Sequence, residues 1–188
     1  MMLILFLHPH SLPHVSPFHY YYYSKKVNVN LLALDFDQTI IDIHTGGRFS
    51  GTATELAAHV RPMFHHLITA THNAGIQLAV VTFSPQTEQI ADVLDIHFPA
   101  FAHEIVIRGR DRTWEYVGNG MKEGKQPFMA SAAEELQAKC DLDITRNTTL
   151  LVDDDPNNIH KALKDGVRGI LLNPRKSHLL LQDILKMQ

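Results

Sequence analysis

Five short runs of apolar residues recur along the chain, and longer stretches with helical spacing separate them. Continuous apolar runs of this kind are typical of strands that a parallel sheet buries on both faces. Strand and helix therefore alternate, and right-handed crossovers would place helices on both faces of the sheet. The pattern predicts an α/β fold with a doubly wound, Rossmann-like parallel sheet of about five strands.

The element boundaries follow from the ends of these runs and from local stop signals. Ser84 and Pro85 offer a capping hydroxyl and a proline at the first helical position, and Gly75 and Gly166 follow helix ends. The predicted strands cover residues 31–36, 76–83, 101–107, 148–152 and 167–172. The predicted helices cover residues 52–74, 84–94, 126–139, 156–165 and 177–186.

Two segments lack a steady period. Residues 40–49 predict a hairpin that turns at Thr45-Gly46-Gly47, and residues 108–124 predict a loop or flap. Basic and aromatic side chains alternate in the second segment, which leaves two interpretations open. The side chains are those of Arg108, Arg110, Arg112, Trp114 and Tyr116. In one interpretation they bind an anionic or aromatic part of a ligand, and in the other they form a solvated edge hairpin.

The first 28 residues differ in composition from the rest. The apolar run 1–7 is too short to cross a bilayer and lacks the basic flank of a signal peptide. A segment rich in histidine and tyrosine follows it, and this kind of tract is typical either of disorder or of metal binding. We expect residues 1–28 to be a disordered or atypical extension and residues 29–188 to form one domain.

Composition narrows the classes of partner. The 188 residues carry 17 Lys plus Arg against 20 Asp plus Glu, a net charge of −3, so no overall basic field favours nucleic acid or an anionic membrane. The sequence contains one cysteine, Cys140, which argues against a disulfide scaffold and for a reducing compartment. We therefore expect a cytoplasmic protein, with the nucleus as an alternative.

Polar side chains collect where the predicted strands end. Asp35, Asp37 and Thr39 follow the first strand, and Thr82 and Ser84 end the second. The fourth strand ends in Asp153-Asp154-Asp155, and Lys125 precedes a helix. In a doubly wound sheet these ends meet at one crevice, where carboxylates would repel one another without a hard cation. The sequence therefore predicts a Mg²⁺ site there.

The order of these residues resembles the four motifs of the haloacid dehalogenase superfamily of phosphohydrolases. Asp35-Phe36-Asp37-Gln38-Thr39 matches its DxDxT motif, Thr82 its second motif, and Lys125 its third. Leu150-Leu151-Val152-Asp153-Asp154, followed by Asn158, matches the fourth, an apolar strand that ends in acidic residues. The resemblance covers about residues 31–172.

The resemblance implies roles for the carboxylates. Asp35 would be the nucleophile that forms an aspartyl-phosphate, and Asp37 would protonate the leaving oxygen and then activate water. Mg²⁺ would be bound by the Asp35 carboxylate, the Asp37 main-chain carbonyl and Asp153. Asp154 would be a supporting partner or an alternative ligand, while Asp155, before Pro156, is better explained as a helix cap.

It also implies a phosphate-binding set. Thr82 would donate a hydrogen bond to the phosphoryl group near the helix start at Ser84, and Thr39 belongs to the same predicted set. Lys125 would offset the negative charge of the phosphate and of Asp35, its alternative being an exposed lysine in a glycine-rich loop.

The intervals between motifs bear on the substrate. The stretches from Asp35 to Thr82 and from Thr82 to Lys125 are too short for the cap domains of this superfamily, so the chain is similar in layout to the capless, magnesium-dependent phosphatase-1 type. Such an open crevice suits a phosphorylated protein or another bulky substrate, or a small phosphate if an oligomer partner closes the site. A non-catalytic phosphate-binding scaffold and a phosphotransferase remain as alternatives.

The histidines carry less information. His59, His65 and His66 on the first predicted helix lack the spacing and third partner of a zinc site. His44 lies in the predicted hairpin and is a candidate for contact with a substrate.

Overall fold

A parallel five-stranded sheet forms the centre of the molecule in the computed structural model, which describes residues 28–116 and 120–186. Its order is β3-β2-β1-β4-β5, and every neighbouring pair is parallel. The strands are β1 (Leu31–Leu34), β2 (Gln77–Val81), β3 (Val106–Arg108), β4 (Thr149–Asp153) and β5 (Arg168–Leu171). The predicted doubly wound parallel sheet is confirmed.

Helices connect the strands. They are α1 (Ala53–Ala57), α2 (Pro62–Asn73), α3 (Thr87–His97), α4 (Gln126–Lys139), α5 (Pro156–Lys164) and α6 (Leu180–Lys186). Single turns of helix occupy Phe36–Ile40, Ala102–Glu104, Gly120–Glu123, Arg146–Thr148 and Pro174–Leu179.

The central strand β1 shows why both faces of the sheet are covered. Its side chains alternate, so Leu32 and Leu34 point to one face while Leu31 and Ala33 point to the other, and all four are buried. The first face packs against α1, α2, α3 and α6, and the second against α4 and α5. A strand buried on both faces needs apolar residues at every position, which explains the unbroken run.

The strand order also fixes where a crevice forms. The connection from β1 runs to β2 on one side, whereas β4 and β5 lie on the other side of β1. The connections therefore lead away from the line between β1 and β4 in opposite directions, and doubly wound sheets bind ligands beyond the carboxyl ends of the strands at such a point. The residues that follow Leu34 and Val152, which are paired in register, therefore face this crevice.

Several predicted boundaries are wrong. The helix predicted over residues 52–74 is divided, because Pro62 begins α2 and the chain before it forms an antiparallel bridge between Ile41 and Val60. The helix predicted from Ser84 begins at Thr87, and the last helix begins at Leu180 rather than at residue 177. The Asp155 cap is confirmed, since its carboxylate accepts a hydrogen bond from the backbone N–H of Asn157.

The hairpin predicted over residues 40–49 does not form. The Phe36–Ile40 turn has non-helical backbone angles at Asp37 and at Gln38, whose φ is 57°. Ile41 forms a β-bridge with Val60, which follows α1, and not with a second strand of a hairpin. Residues 42–51 form an irregular loop with a turn in which the backbone N–H of Arg48 donates to Thr45 O. In the predicted loop 108–124, Arg108 instead ends strand β3.

The predicted extension, residues 1–28, lies outside the described residues except for Asn28. Within 28–116 and 120–186, the helices are too short or too polar to cross a bilayer.

Candidate active site

Lys125 and Asp35 form a buried ion pair beyond the carboxyl ends of β1 and β2. Lys125 Nζ lies 2.5 Å from Asp35 Oδ1 and donates a second hydrogen bond of 2.8 Å to the main-chain oxygen of Val81. The Lys125 residue is 1% exposed, so the alternative of an exposed lysine in a loop is wrong. The end of β2 and the start of α4 thus bring a cation to the carboxylate that follows β1.

Two further carboxylates surround Asp35. Oxygen atoms of Asp35, Asp153 and Asp154 all lie within 4.8 Å of one another, at the switch point between β1 and β4. Asp153 is held by two hydrogen bonds, one of 2.9 Å from the backbone N–H of Asp155 and one of 3.0 Å from Nδ2 of Asn158. The turn into α5 therefore fixes the carboxylate at the end of β4.

Burial and mutual repulsion perturb these carboxylates. Burial, joined by the negative charge of Asp35, raises the pKa of Asp153 from its ordinary value of 3.8 to about 7. The same two causes raise the pKa of Asp154. Burial also raises the pKa of Asp35, and the charge and hydrogen bond of Lys125 partly offset that rise. Three carboxylates are thus kept together at a cost that a cation would reduce.

The donor set fits a hard divalent cation. All three side chains offer carboxylate oxygens, which Mg²⁺ and Ca²⁺ prefer, and they converge without a histidine or a thiol. Burial and the charge of Asp35 raise the pKa values of Asp153 and Asp154. A bound dication would counteract both effects, because its positive charge would stabilise the ionised carboxylates. Asp153 and Asp154 both belong to the group, so the geometry does not set Asp154 apart from the predicted ligands.

Asp37 stands apart from this cluster. Its side chain is 15% exposed and contacts the irregular loop that follows the Phe36–Ile40 turn. Thr45 donates to it from both the hydroxyl and the backbone N–H, and His44 Nδ1 lies 3.2 Å from Oδ2. Its charge contributes to raising the pKa of Asp35, which places the two carboxylates in one electrostatic environment.

The predicted phosphate-binding residues occupy different environments. Thr82 is 2% exposed, and its hydroxyl accepts a 3.1 Å hydrogen bond from the backbone N–H of Ser84. The Ser84 hydroxyl in turn accepts from the backbone N–H of Gln86 at 3.1 Å, just before α3. Thr39 is fully buried and its hydroxyl has no partner among the described residues. The roles of all three in phosphate binding stay predictions.

Two cationic side chains lie over the aromatic ring of Phe83 at the edge of the site. Lys125 Nζ lies 4.2 Å from the centroid of its ring, and Cζ of Arg110 lies 4.6 Å from it. Arg110 is exposed, and its backbone N–H donates to Ser84 O at 3.0 Å. An exposed guanidinium is therefore held one aromatic ring away from the buried ammonium.

Three other members of the alternating series, Arg108, Trp114 and Tyr116, contact α4. Arg108 pairs with Glu135 and Ser131 of α4. Trp114 and Tyr116 pack on Phe128, and the indole N–H of Trp114 donates to Gly109 O at 2.8 Å. These contacts tie the segment to α4, so the three residues do not form a solvated edge hairpin. The interpretation that the segment grips a ligand stays a prediction.

Sequence reasoning missed Thr45 and Phe83. Thr45 was placed only at the tip of a hairpin, and a threonine beside two glycines carries no chemical signal of its own. Phe83 was placed only at a strand end. Its position between Thr82 and Ser84 was visible, but its two cations come from residues 110 and 125, which only the fold brings to it.

No family model and no curated protein sequence matches this chain. Its structure is similar to that of an uncharacterized protein from Corynebacterium glutamicum, with 15% identity and a TM-score of 0.50 over 85% of this chain and 97% of that one. It is also similar to the N-terminal part of the protein BF1531 from Bacteroides fragilis, which contains a phosphatase domain and is complexed with Mg. That match has 17% identity and a TM-score of 0.56 over 87% of this chain and 40% of that one.

A third similar structure is the HAD domain of an effector protein from Legionella pneumophila, with 17% identity and a TM-score of 0.47 over 84% of this chain and 93% of that one. At the identities of the first two matches, the likeness establishes that the chain shares their fold.

Proposed function

We propose that this chain is a Mg²⁺-dependent phosphatase of the haloacid dehalogenase type, which hydrolyses phosphomonoesters. The observation that carries the proposal is the buried Lys125–Asp35 pair beside Asp153 and Asp154 at the switch point of the sheet. A nucleophilic carboxylate, a fixed cation and an acidic cation site are the parts that phosphoryl transfer requires. The fold shared with a phosphatase domain complexed with Mg supports it.

In the proposed reaction, an oxygen of Asp35 attacks phosphorus and the bond from phosphorus to the ester oxygen breaks. Asp37 gives its proton to the departing oxygen, so an alcohol leaves and an aspartyl-phosphate remains. Asp37 then takes a proton from water as the water oxygen attacks phosphorus. The bond to Asp35 breaks, and inorganic phosphate is released with Asp35 again a carboxylate and Asp37 again protonated.

The residues around Asp35 prepare it for this attack. The charge and hydrogen bond of Lys125 favour the ionised form of Asp35 against the effect of burial on its pKa, and they hold one carboxylate oxygen in a fixed direction. Asp35, Asp153 and Asp154 would hold Mg²⁺, with the Asp37 main-chain carbonyl as the predicted fourth protein ligand. The bound ion would supply positive charge for the phosphoryl oxygens.

The rim of the site supports a bulky, anionic substrate. Arg110 is exposed on Phe83 and is held there by the hydrogen bond from its backbone to Ser84. A guanidinium in this position would bind a second negative group on the substrate, such as an acidic side chain of a phosphoprotein. The proposal therefore includes a site without a cap domain and a phosphoprotein as the substrate.

The test is hydrolysis of p-nitrophenyl phosphate by the purified full chain with Mg²⁺, with EDTA, and as Asp35→Asn. We expect turnover that EDTA abolishes and that Asp35→Asn lowers at least 1,000-fold, as removal of a nucleophile does. The exposed Asp95→Asn in α3 is the matched control and should keep wild-type turnover. Circular dichroism checks that both variants fold.

Two other results would change the assignment. Turnover that survives Asp35→Asn or EDTA would contradict the proposed mechanism. More nitrophenol than phosphate in the presence of an added alcohol would identify a phosphotransferase, and Mg²⁺ binding without turnover of any phosphate ester would favour the binding scaffold.

A further inference from the structure

The carboxylate of Asp37 is held almost entirely by one residue of the irregular loop. Thr45 Oγ1 lies 2.9 Å from Oδ1 and 2.8 Å from Oδ2 of Asp37, and the backbone N–H of Thr45 donates to Oδ2 at 2.9 Å. His44 Nδ1 adds a contact of 3.2 Å, also to Oδ2, from a side chain that is 66% exposed. Thr45 thus supplies the hydrogen bonds that orient this carboxylate.

The loop that carries Thr45 is itself anchored to α3. The side chain of Gln86 exchanges two hydrogen bonds with the backbone of Phe49, of 2.6 and 2.9 Å, and Gln89 donates to Gly51 O at 2.7 Å. Gly47 approaches the segment after Thr82 so closely that a Cβ there would lie 2.9 Å from Cδ of Pro85. The start of α3, together with Pro85 just before it, therefore holds the loop that carries Thr45 in place.

The two oxygens of Asp37 are not equivalent. The backbone N–H of Thr45 donates to Oδ2, and the Thr45 hydroxyl lies within hydrogen-bond distance of both oxygens. Oδ1 has only the Thr45 hydroxyl as a partner among the described residues. The hydroxyl also accepts a 3.1 Å hydrogen bond from the backbone N–H of Gly47, which holds the hydroxyl itself in place.

We propose that Thr45 is the positioning residue for Asp37. Its N–H and its hydroxyl together hold both oxygens of the Asp37 carboxylate, which fixes the direction in which Asp37 gives or takes a proton. The inference rests on the proposed phosphatase function, in which Asp37 is the general acid and base. It assigns a role to a loop residue that lies outside the four sequence motifs.

The experiment separates proton transfer from general damage by the choice of leaving group. p-Nitrophenolate leaves with little help from an acid, whereas the alkoxide of an alkyl phosphate needs a proton as the bond breaks. Steady-state kcat/KM for each ester reports the steps up to alcohol release. We compare p-nitrophenyl phosphate with glycerol 2-phosphate, using the full chain with Mg²⁺.

Thr45→Val removes the hydroxyl and keeps the backbone N–H and the side-chain shape. We expect kcat/KM for glycerol 2-phosphate to fall about 10- to 100-fold, and that for p-nitrophenyl phosphate to fall less than about threefold, because general acid catalysis is worth ~10²–10⁴-fold in total. Thr45→Ser should restore both values to within about threefold of wild type. Thr45→Ala serves as a second variant without a hydroxyl if the valine variant does not fold.

Thr113 provides a matched control. It donates to Asp111 in the same manner, from its backbone N–H at 3.2 Å and from its hydroxyl at 2.9 Å, but it is exposed and its partner Asp111 has no role in the proposed reaction. Thr113→Val should leave kcat/KM for both esters unchanged.

The outcomes are distinct. An equal loss with both esters in Thr45→Val, or no loss with either, overturns the positioning role while leaving the phosphatase in place. A wild-type chain that hydrolyses neither ester overturns the proposed function, and this inference with it.

Discussion

The ammonium nitrogen of Lys125 lies 2.5 Å from a carboxylate oxygen of Asp35, although the two residues are 90 positions apart in the chain. The pair is buried, and Asp153 and Asp154 lie against its acidic partner. Lys125 is thus a buried cation hydrogen-bonded to this acidic group, and we expect both stability and chemistry to depend on it.

Replacing Lys125 with methionine should therefore be costly in two ways. Removal of one partner of a buried pair destabilises a protein by about 3–5 kcal/mol, because the other charge stays buried. We expect Lys125→Met to lose about that much in urea unfolding without metal, to regain part of it with Mg²⁺, and to lose more than 100-fold in turnover.

Lys139 offers a matched control for this variant. Its Nζ also lies 2.5 Å from a carboxylate, that of Glu135, but its side chain is 60% exposed. Exposed pairs contribute about 0–1 kcal/mol, so Lys139→Met should change stability by less than 1 kcal/mol and leave turnover unchanged. Similar losses in the two variants would contradict the importance assigned to burial at Lys125.

The stability of the metal-free protein should fall as the pH rises. The pKa of Asp153 is raised from 3.8 to about 7, so between these values the folded protein holds a proton that the unfolded chain has released. The folded state then binds more protons, and stability present below about pH 4 is lost progressively as the pH rises to about 7. The loss across the whole window amounts to at most about 4 kcal/mol, and urea unfolding in EDTA at pH 5 and pH 8 should measure up to about 3 kcal/mol of it.

Mg²⁺ should reverse this trend, because it binds the ionised carboxylates. We expect the stabilisation by saturating Mg²⁺ to be larger at pH 8 than at pH 5. Asp153→Asn should flatten the pH dependence and reduce the response to Mg²⁺, whereas the exposed Asp95→Asn should leave both as in the wild type. Stability that rises from pH 5 to pH 8 without metal would contradict the assignment.

Gly109 should not tolerate a side chain. A Cβ there would lie 2.6 Å from the main-chain oxygen of Ser84 and would also clash with the methyl group of Thr87. We expect Gly109→Ala to destabilise the fold by about 1–3 kcal/mol, the usual cost of overpacking. Trp114 is the single tryptophan of the chain and donates to Gly109 O, so its fluorescence should change with the displaced backbone.

Gly169→Ala in β5 is the comparison for this variant. Its added Cβ would come no closer than 3.3 Å to any atom, and that atom belongs to the side chain of Ile159. Its cost should be smaller, and the Trp114 fluorescence should stay as in the wild type. Equal destabilisation by the two variants would refute the close approach at Gly109.

Arg110 should affect charged substrates selectively. If it binds a second anionic group, Arg110→Ala should raise KM about tenfold for a phosphopeptide with flanking acidic residues, the loss of one charge-assisted hydrogen bond. KM for p-nitrophenyl phosphate should stay within about twofold. Arg146→Ala, just before the amino end of β4 and so at the opposite end of the strands from the site, should change neither value. An unselective loss in Arg110→Ala would count against a role in substrate recognition.

The layers of this fold and the composition of its acidic site follow from local features of the sequence. Unbroken apolar runs such as 31–34 are required wherever a strand is buried on both faces, and that requirement is local. Asp35 and Asp153 were predicted to meet because each directly follows or ends such a run, and parallel strands align their carboxyl ends. Periodicity and chain direction are enough for these conclusions.

The hydrogen bond from Thr45 to Asp37 and the burial of Lys125 are visible only in the folded molecule. The loop of residues 42–51 has no period, and its shape comes from Gln86 and Gln89 on another element, so the bond from Thr45 to Asp37 was not predictable. The burial of Lys125 depends on how α4 meets the end of β2, where Val81 O and Asp35 accept its protons. A local pattern specifies strands and helices, whereas a contact between irregular segments depends on long-range packing that no local pattern encodes.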